Sequence, residues 1–184
     1  KHLLVNGAAV PAPLFDLGLY VFHNARTLSQ RGSGVYLYLP KLESFLEARL
    51  WNDVLSHCER ALELATGTIR ATATIESLPA AFEMDEILYE LREHSAGLCF
   101  GQSHYLSSYI KKLRSDPNAV LPDRSQLGTS RGFLLACSQL LVRTCLRRGA
   151  HAMGGLATQL PPSTAPEASS RLLSRLRADK VREV

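Results

Sequence analysis

The chain reads as an α/β fold with a parallel sheet, and three observations predict it. Strand-like and helical patterns alternate along the sequence, as β-α-β units require. Thr68-Ile-Arg-Ala-Thr-Ala-Thr-Ile-Glu76 is rich in β-branched residues, and a helical pattern follows it with apolar positions at Ala80, Met84, Ile87/Leu88 and Leu91. The apolar run Ala96-Gly-Leu-Cys-Phe-Gly101 then enters a turn at Gln102-Ser-His-Tyr105. Successive parallel strands point the same way, so Glu76 and the Gly101–His104 turn are expected on one rim. In barrels and open α/β sheets that rim carries the chemistry. An enzyme is the leading reading.

In chain order, Lys1–Pro13 is an irregular opening segment with Val5-Asn-Gly7 as a turn signal. Leu14–Phe22 is apolar and strand-like, and His23–Gln30 forms a short helix. After the loop Arg31-Gly-Ser-Gly34 comes a strand, Val35–Leu39, closed by Pro40, which cannot donate to a continuing ladder. Glu43–Leu64 is the longest helix, with its apolar stripe at Leu46, Leu50/Trp51, Val54/Leu55, Cys58 and Ala61/Leu62. Strand Thr68–Glu76, helix Leu78–His94, strand Ala96–Gly101 and helix Tyr105–Ser115 follow. A polar loop spans Pro117–Gly128, then a helix runs from about Gly132 to Arg148, cationic in its last turn with Gly149 beyond it. Ala150–Gly155 reads as a short strand, Leu160–Pro166 as a breaker-rich loop and Glu167–Val184 as a basic helix.

Length and composition set the limits. A chain of 184 residues with 46% apolar content is one domain with ample core. Lys1 is not a methionine and Val184 falls within a charged helical pattern, so a piece of a longer polypeptide is expected. Only about four or five β-α units are present, whereas a closed barrel needs eight and about 250 residues. The net charge is +4, and the basic residues scatter, apart from Arg143/Arg147/Arg148 and the tail Arg171–Arg182, without interleaved aromatics, which argues against nucleic acid and leaves an anionic ligand such as a phosphate-bearing cofactor open. No apolar run is long enough to span a bilayer, and no positively charged segment leads into an apolar one, so no membrane role is expected. Cys58, Cys99, Cys137 and Cys145 lack metal-ligand spacing. Cys137 and Cys145 share a helix about 12 Å apart, too far to bridge, and all four read as buried thiols, with a catalytic thiol as the alternative.

Several residues could carry chemistry. Glu76 at a strand end can bind a divalent cation, move a proton or simply cap the surface. The N–H groups after Gly101 form an anion cradle at a strand-to-helix turn. His104 is open as a ligand, a base or a partly buried polar residue. Lys41 follows the strand ending at Leu39 and belongs to the same rim. Met153-Gly-Gly155 would allow close backbone approach. Glu83, Asp85, Glu86 and Glu90 lie off the apolar stripe and read as a solvated face.

Longer runs carry a resemblance. Leu14-Phe-Asp-Leu-Gly-Leu-Tyr-Val-Phe-His-Asn-Ala25, Tyr38-Leu-Pro-Lys-Leu-Glu-Ser44 and Leu46-Glu-Ala-Arg-Leu-Trp-Asn-Asp53 resemble malate synthase of the short, A-type branch. So do the run from Ile75 to Arg92, Val120-Leu-Pro-Asp-Arg124, Leu140–Cys145 and Arg147–Gly155. The resemblance covers essentially the whole chain. It implies part of a (β/α)8 TIM-type barrel, truncated at both ends. The implied reaction condenses acetyl-CoA with glyoxylate and water to give malate and CoA. In the family Mg²⁺ is held by a Glu and an Asp, an Asp deprotonates the acetyl methyl group, and an Arg stabilises the enolate.

Carried over by position, Glu76 matches the metal-ligand Glu, while Gly101, Gln102 and Ser103 match the turn that holds the glyoxylate carboxylate. The second metal ligand belongs to a Gly-x-Trp-Asp-Tyr motif, which here reads Gly101-Gln-Ser-His-Tyr105. His104 therefore stands in the Asp position, Ser103 replaces the Trp, and Cys99 replaces an Asn. An imidazole in that place weakens the case for Mg²⁺ and favours softer ions such as Zn²⁺. The resemblance places the family's Arg upstream of Lys1 and its catalytic Asp beyond Val184, on flanks of the same polypeptide. It implies a cytoplasmic bacterial enzyme or a peroxisomal (glyoxysomal) eukaryotic one. A degenerate, non-catalytic homologue and another CoA-ester lyase on the same barrel type are the rival readings.

Overall fold

The computed structural model describes residues 3–123, 127, 132–155 and 166–182. A two-stranded antiparallel hairpin opens the chain, β1 (Leu3–Val5) against β2 (Ala8–Val10). Its turn is Asn6-Gly7, both at positive φ, as a tight hairpin turn demands. The turn signal was legible; the flanking strands, each three residues long, were not.

Helix α1 spans Ala12–Gln30, and this corrects the strand expected at Leu14–Phe22. The apolar run there masks a helical period. Leu17, Val21 and Ala25, spaced four apart, are buried, while Leu19, Tyr20 and Phe22 between them are exposed.

The main sheet is parallel, with strand order β3 (Val35–Leu39), β4 (Ile69–Ile75), β5 (Ser95–Phe100), β6 (Ala152–Met153). It is an open sector rather than a closed barrel. Helix α2 (Phe45–Ala61) connects β3 to β4, α3 (Met84–Glu90) connects β4 to β5, and α4 (Gln102–Lys112) with α5 (Gly132–Arg148) lies between β5 and β6. Helix α6 spans Pro166–Arg182 and reaches back to the end of β6, where Lys180 Nζ donates to Gly155 O.

One face of the sheet builds the core. Val35, Leu39, Ile69, Ala71, Ala73, Ile75 and Leu98 are buried with Leu55, Ile87, Leu91, Leu134 and Leu141 of the helical layer. The register pairs Tyr36 with Arg70 and Tyr38 with Thr72, which puts these four on the opposite face. That face opens on a cavity of about 770 Å³ lined by Tyr36, Tyr38, Arg70, Thr72, Arg92 and Met153 among others.

The helix expected over Leu78–His94 is split. A 3-10 turn at Pro79–Phe82 precedes α3, and Glu83 between them leaves helical geometry at φ −121°. Its carboxylate is recruited elsewhere, accepting from the Phe45 N–H at the start of α2 at 2.7 Å. The apolar face was nonetheless read correctly, since Ala80, Met84, Ile87, Leu88 and Leu91 are all buried.

The acidic residues of this segment are not simply a solvated face. Asp85 accepts from Arg147 and Arg148, tying α3 to the end of α5, and Glu90 takes a two-pronged bond from Arg49 of α2. That bond holds the Glu90 carboxyl below its ordinary range. Within the expected loop after Pro117, residues 117–119 make a 3-10 turn. Residues 124–126 and 128–131, and most of the breaker-rich loop Leu160–Pro166, lie outside the described residues.

Candidate active site at the C-terminal rim of the sheet

Three strand ends meet at the rim. The chain leaves β3 through Pro40 and enters Lys41 at φ 60°, a left-handed conformation that is uncommon outside glycine. That kink aims the Lys41 backbone N–H across to the end of β4, where it donates to Glu76 Oε1 at 2.7 Å. Glu76 is only 6% exposed. On its other side the chain leaves β5 through Gly101, whose N–H bonds to Ile75 O. A Cβ at position 101 would lie 2.6 Å from Glu76 Cβ and 2.9 Å from Oε2, so glycine is what leaves room for the carboxylate.

Helix α4 begins at Gln102, three residues earlier than expected. Gly101 is its N-cap, and Tyr105 N–H makes a helical bond to Gly101 O. The segment expected as a turn is thus the first helical turn, with its N–H groups facing out of the helix end. Tyr105 seats this helix. It is buried, edge-on to Phe100 at 5.5 Å and tilted over Phe133 at 6.0 Å. Tyr109 stacks on Phe133 at 4.4 Å.

Burial drives the Tyr105 phenol well above its ordinary range, with the neighbouring Cys137 adding to the effect. Burial also pushes the Cys137 thiol up to about 11, so it stays protonated near neutral pH and is no nucleophile. All four cysteines are free, and Cys137 and Cys145 are buried on α5.

Glu76, His104 and Lys41 line one cleft of about 220 Å³, together with Glu43, Ser77, Ser107, Ser108, Lys111 and Lys112. Of the turn residues, Ser103 lines a neighbouring apolar groove with Leu106 and Ile110, whereas Gln102 borders neither. Reading α4 from Tyr105 hid part of the site. With His104 inside the helix, Ser107, Ser108 and Lys111 fall three, four and seven residues on, along one face. The Lys41 backbone N–H had no sequence signal, because a left-handed lysine is set by tertiary structure.

The donor set does not suit Mg²⁺. Among the described residues no group of three or more His, Cys, Asp or Glu side chains converges. The cleft offers Glu76, a nitrogen of His104 and Glu43, which is paired with Lys112, beside two further lysines, where Mg²⁺ prefers carboxylate and water oxygens.

Comparison with known proteins decides the family. A family profile described as malate synthase, TIM barrel domain, matches residues 1–184. The chain belongs to the malate synthase family. It is 53% identical over its whole length to a malate synthase of Myxococcus xanthus, 49% to one of Dictyostelium discoideum, and 48% over 98% of its length to malate synthase A of Escherichia coli. In each case it spans 34% of the relative, so it corresponds to about a third of a malate synthase. Plant relatives, such as that of Gossypium hirsutum, are named glyoxysomal.

Among solved structures, a Haloferax volcanii malate synthase in a lead(II) complex superposes with a TM-score of 0.55. It is 16% identical, over 79% of this chain and 36% of that one. A citrate lyase from Burkholderia xenovorans gives 0.55 at 15% identity, over 71% and 38%. These two likenesses speak to the fold, a sector of an α/β barrel. Among the described residues no helix is long and apolar enough to cross a membrane.

Proposed function

We propose that this chain forms the Glu76-bearing sector of a malate-synthase-type barrel, acting in the condensation of acetyl-CoA with glyoxylate and water to malate and CoA. The observation that carries this reading is the convergence of Lys41, Glu76 and Gly101 at three strand ends in a chain matching the family throughout. In this reading Glu76, oriented by the Lys41 N–H, presents a carboxylate at the reacting end. The helix end after Gly101, with Gln102, Ser103 and His104, faces the glyoxylate carboxylate. The 184 residues alone are inactive, because the base and the enolate-stabilising Arg of the family lie on flanks of the same polypeptide. The family is Mg²⁺-dependent, but the donor set here does not fit that ion, so no step is assigned to it.

His104 favours a second reading, a degenerate homologue with a structural or binding role, since imidazole stands where the family pattern has a carboxylate. CoA release, measured against Mg²⁺ concentration, separates the two. The chain alone should give none. With its flanks restored it should remain poor, and His104→Asp should raise Mg²⁺-dependent turnover, which a further Glu76→Ala should abolish. Turnover by the flank-restored His104 protein at ordinary Mg²⁺ levels would refute the positional carry-over of His104.

A further inference from the structure

We propose that Ser77 is a positioning residue for the rim carboxylate, holding the Lys41 loop against Glu76. Two consecutive residues just past β3, Lys41 and Leu42, meet two consecutive residues just past β4, Glu76 and Ser77. The Lys41 N–H donates to Glu76 Oε1 at 2.7 Å, and the Ser77 hydroxyl donates to Leu42 O at 2.6 Å. The two bonds run in opposite directions, so the loop is held through a donor and an acceptor on adjacent residues. Together they fix its rotation as well as its distance, which a single bond does not.

The loop needs such a hold. Lys41 sits at φ 60°, where a residue with a Cβ is strained, and strained backbone persists only where its surroundings fix it. Leu42 and Ser77 are both buried, so water does not readily replace a bond lost at Leu42 O. The Ser77 side chain is itself fixed. Its oxygen accepts from Ala80 N–H at 3.3 Å in the 3-10 turn, and the adjacent Leu78 N–H bonds to Ser108 Oγ of α4 at 3.0 Å. Ser77 borders the cleft, but its single proton is committed to Leu42 O and is not offered to a ligand. Its contribution therefore passes through Lys41 to Glu76. Without the hydroxyl, Lys41 relaxes from its left-handed conformation, and the Glu76 carboxylate loses the donor that orients it.

A role of Ser77 in turnover rests on Glu76 acting in the proposed condensation, whereas its hold on the loop does not, so each has its own readout. Hydrogen exchange of the flank-bearing polypeptide is followed by mass spectrometry on peptides covering Lys41–Ser44 and Ile69–Ile75. Ser77→Ala should speed exchange at Lys41 about tenfold, as loss of a single hydrogen-bonded restraint does. Ile69–Ile75 and the Glu43 N–H, which bonds to Glu47, should stay protected. Ser77→Thr keeps the hydroxyl and should return exchange at Lys41 to within about threefold of the original. Ser108→Ala removes only the acceptor of Leu78 N–H and should leave Lys41 unchanged. CoA release is then measured in the same polypeptide carrying His104→Asp. There Ser77→Ala should lower kcat about tenfold with KM for acetyl-CoA within about twofold, because misorientation of a reacting group falls on the chemical step, and Ser77→Thr should recover it.

Unchanged exchange at Lys41 in Ser77→Ala overturns the proposal. So does equal loosening of Ile69–Ile75, which would make Ser77 a general support of β4, and so does failure of Ser77→Thr to restore Lys41. An effect of Ser108→Ala at Lys41 as large as that of Ser77→Ala would also overturn it, as would lost protection at Lys41 with kcat unchanged. A polypeptide that makes no malate even with His104→Asp refutes the proposed condensation, and exchange at Lys41 still decides whether Ser77 holds the loop.

Discussion

Two carboxylates bracket strand β4, and their surroundings differ. Glu59, on α2, is 2% exposed and fully used by the protein. Its Oε1 accepts Ile69 N–H at 2.8 Å, and its Oε2 accepts Gly67 N–H at 3.1 Å and faces His94 Nε2 at 3.1 Å. His94, wholly buried, meets Asn52 Oδ1 at 2.8 Å through its other nitrogen. Glu76, at the far end of β4, is nearly as buried but has one protein donor, the Lys41 N–H at Oε1. Among the described residues no hydrogen bond is made to its Oε2, and the side chain borders a cleft. Burial alone does not separate these residues. The count of lone pairs that the protein leaves unfilled does, because a buried charge with spare acceptor capacity is held for something other than stability.

Removing each carboxylate sharpens that contrast. Glu59→Ala strands a buried imidazole, the buried Ile69 N–H and the part-buried Gly67 N–H, and should cost about 3–5 kcal/mol. The entries to β4 and β5 loosen together, since Glu59 links α2, Gly67, Ile69 and His94. Denaturant unfolding of the flank-bearing polypeptide reads this as a fall in midpoint at constant slope. Glu76→Ala leaves a single N–H unpaired at a solvent-accessible rim and should cost about 1 kcal/mol, while removing whatever chemistry the rim performs. Equal destabilisation by the two changes would mean that Glu76 is also a structural residue.

The two sites were not equally legible in the sequence. Glu76 stood out because a carboxylate closing a β-branched run marks the C-terminal end of a parallel strand, and the family runs around it agree. Glu59 and His94 gave no such sign. Glu59 falls on the longest helix among polar residues, and its burial follows from the way α2 lies across the start of β4. Helix α5 matches its expected bounds and the main strands match within a residue, except the short β6. Helix α2 starts two residues later and ends three earlier than expected, and Leu46 and Leu50 of its expected apolar stripe are exposed, the buried positions being Ala48, Leu55 and Glu59. The failures at α1 and α3 have different causes. At α1 a dense apolar run hid its period, and at α3 a tertiary bond to Phe45 pulled Glu83 out of the helix. At α3 a non-local contact outweighed local propensity, whereas at α1 the helical period is local and only obscured by the apolar residues around it.

Gly101→Ala tests the rim from its other side. The added methyl would lie 2.6 Å from Glu76 Cβ, so either the carboxylate or the β5–α4 junction must shift. A cost of about 1–3 kcal/mol follows from overpacking of this kind. The comparison predicts where the damage falls. Any ligand affinity or turnover that depends on Glu76 should drop by more than the stability loss explains, while the Glu59–His94 end keeps its hydrogen-exchange protection. Loss of protection at Ile69 instead would show that the two ends of β4 are coupled.

The smallest effect belongs to a third carboxylate, Glu83, which serves only as an acceptor for the first N–H of α2. That N–H is an orphan of the helix start, which water can reach once the side chain is gone, so Glu83→Ala should cost about 0.5–1 kcal/mol, as loss of a cap does. Turnover of the flank-bearing polypeptide should not change, because Glu83 does not border the rim cleft. The three changes then rank Glu59, Glu76 and Glu83 by stability and single out Glu76 by function. A Glu83→Ala protein that lost turnover while keeping its unfolding midpoint would show that α2's first turn sets the Lys41–Ser44 path, and with it the geometry at Glu76. The rim would then depend on a longer-range support than the Lys41 N–H and Gly101 provide.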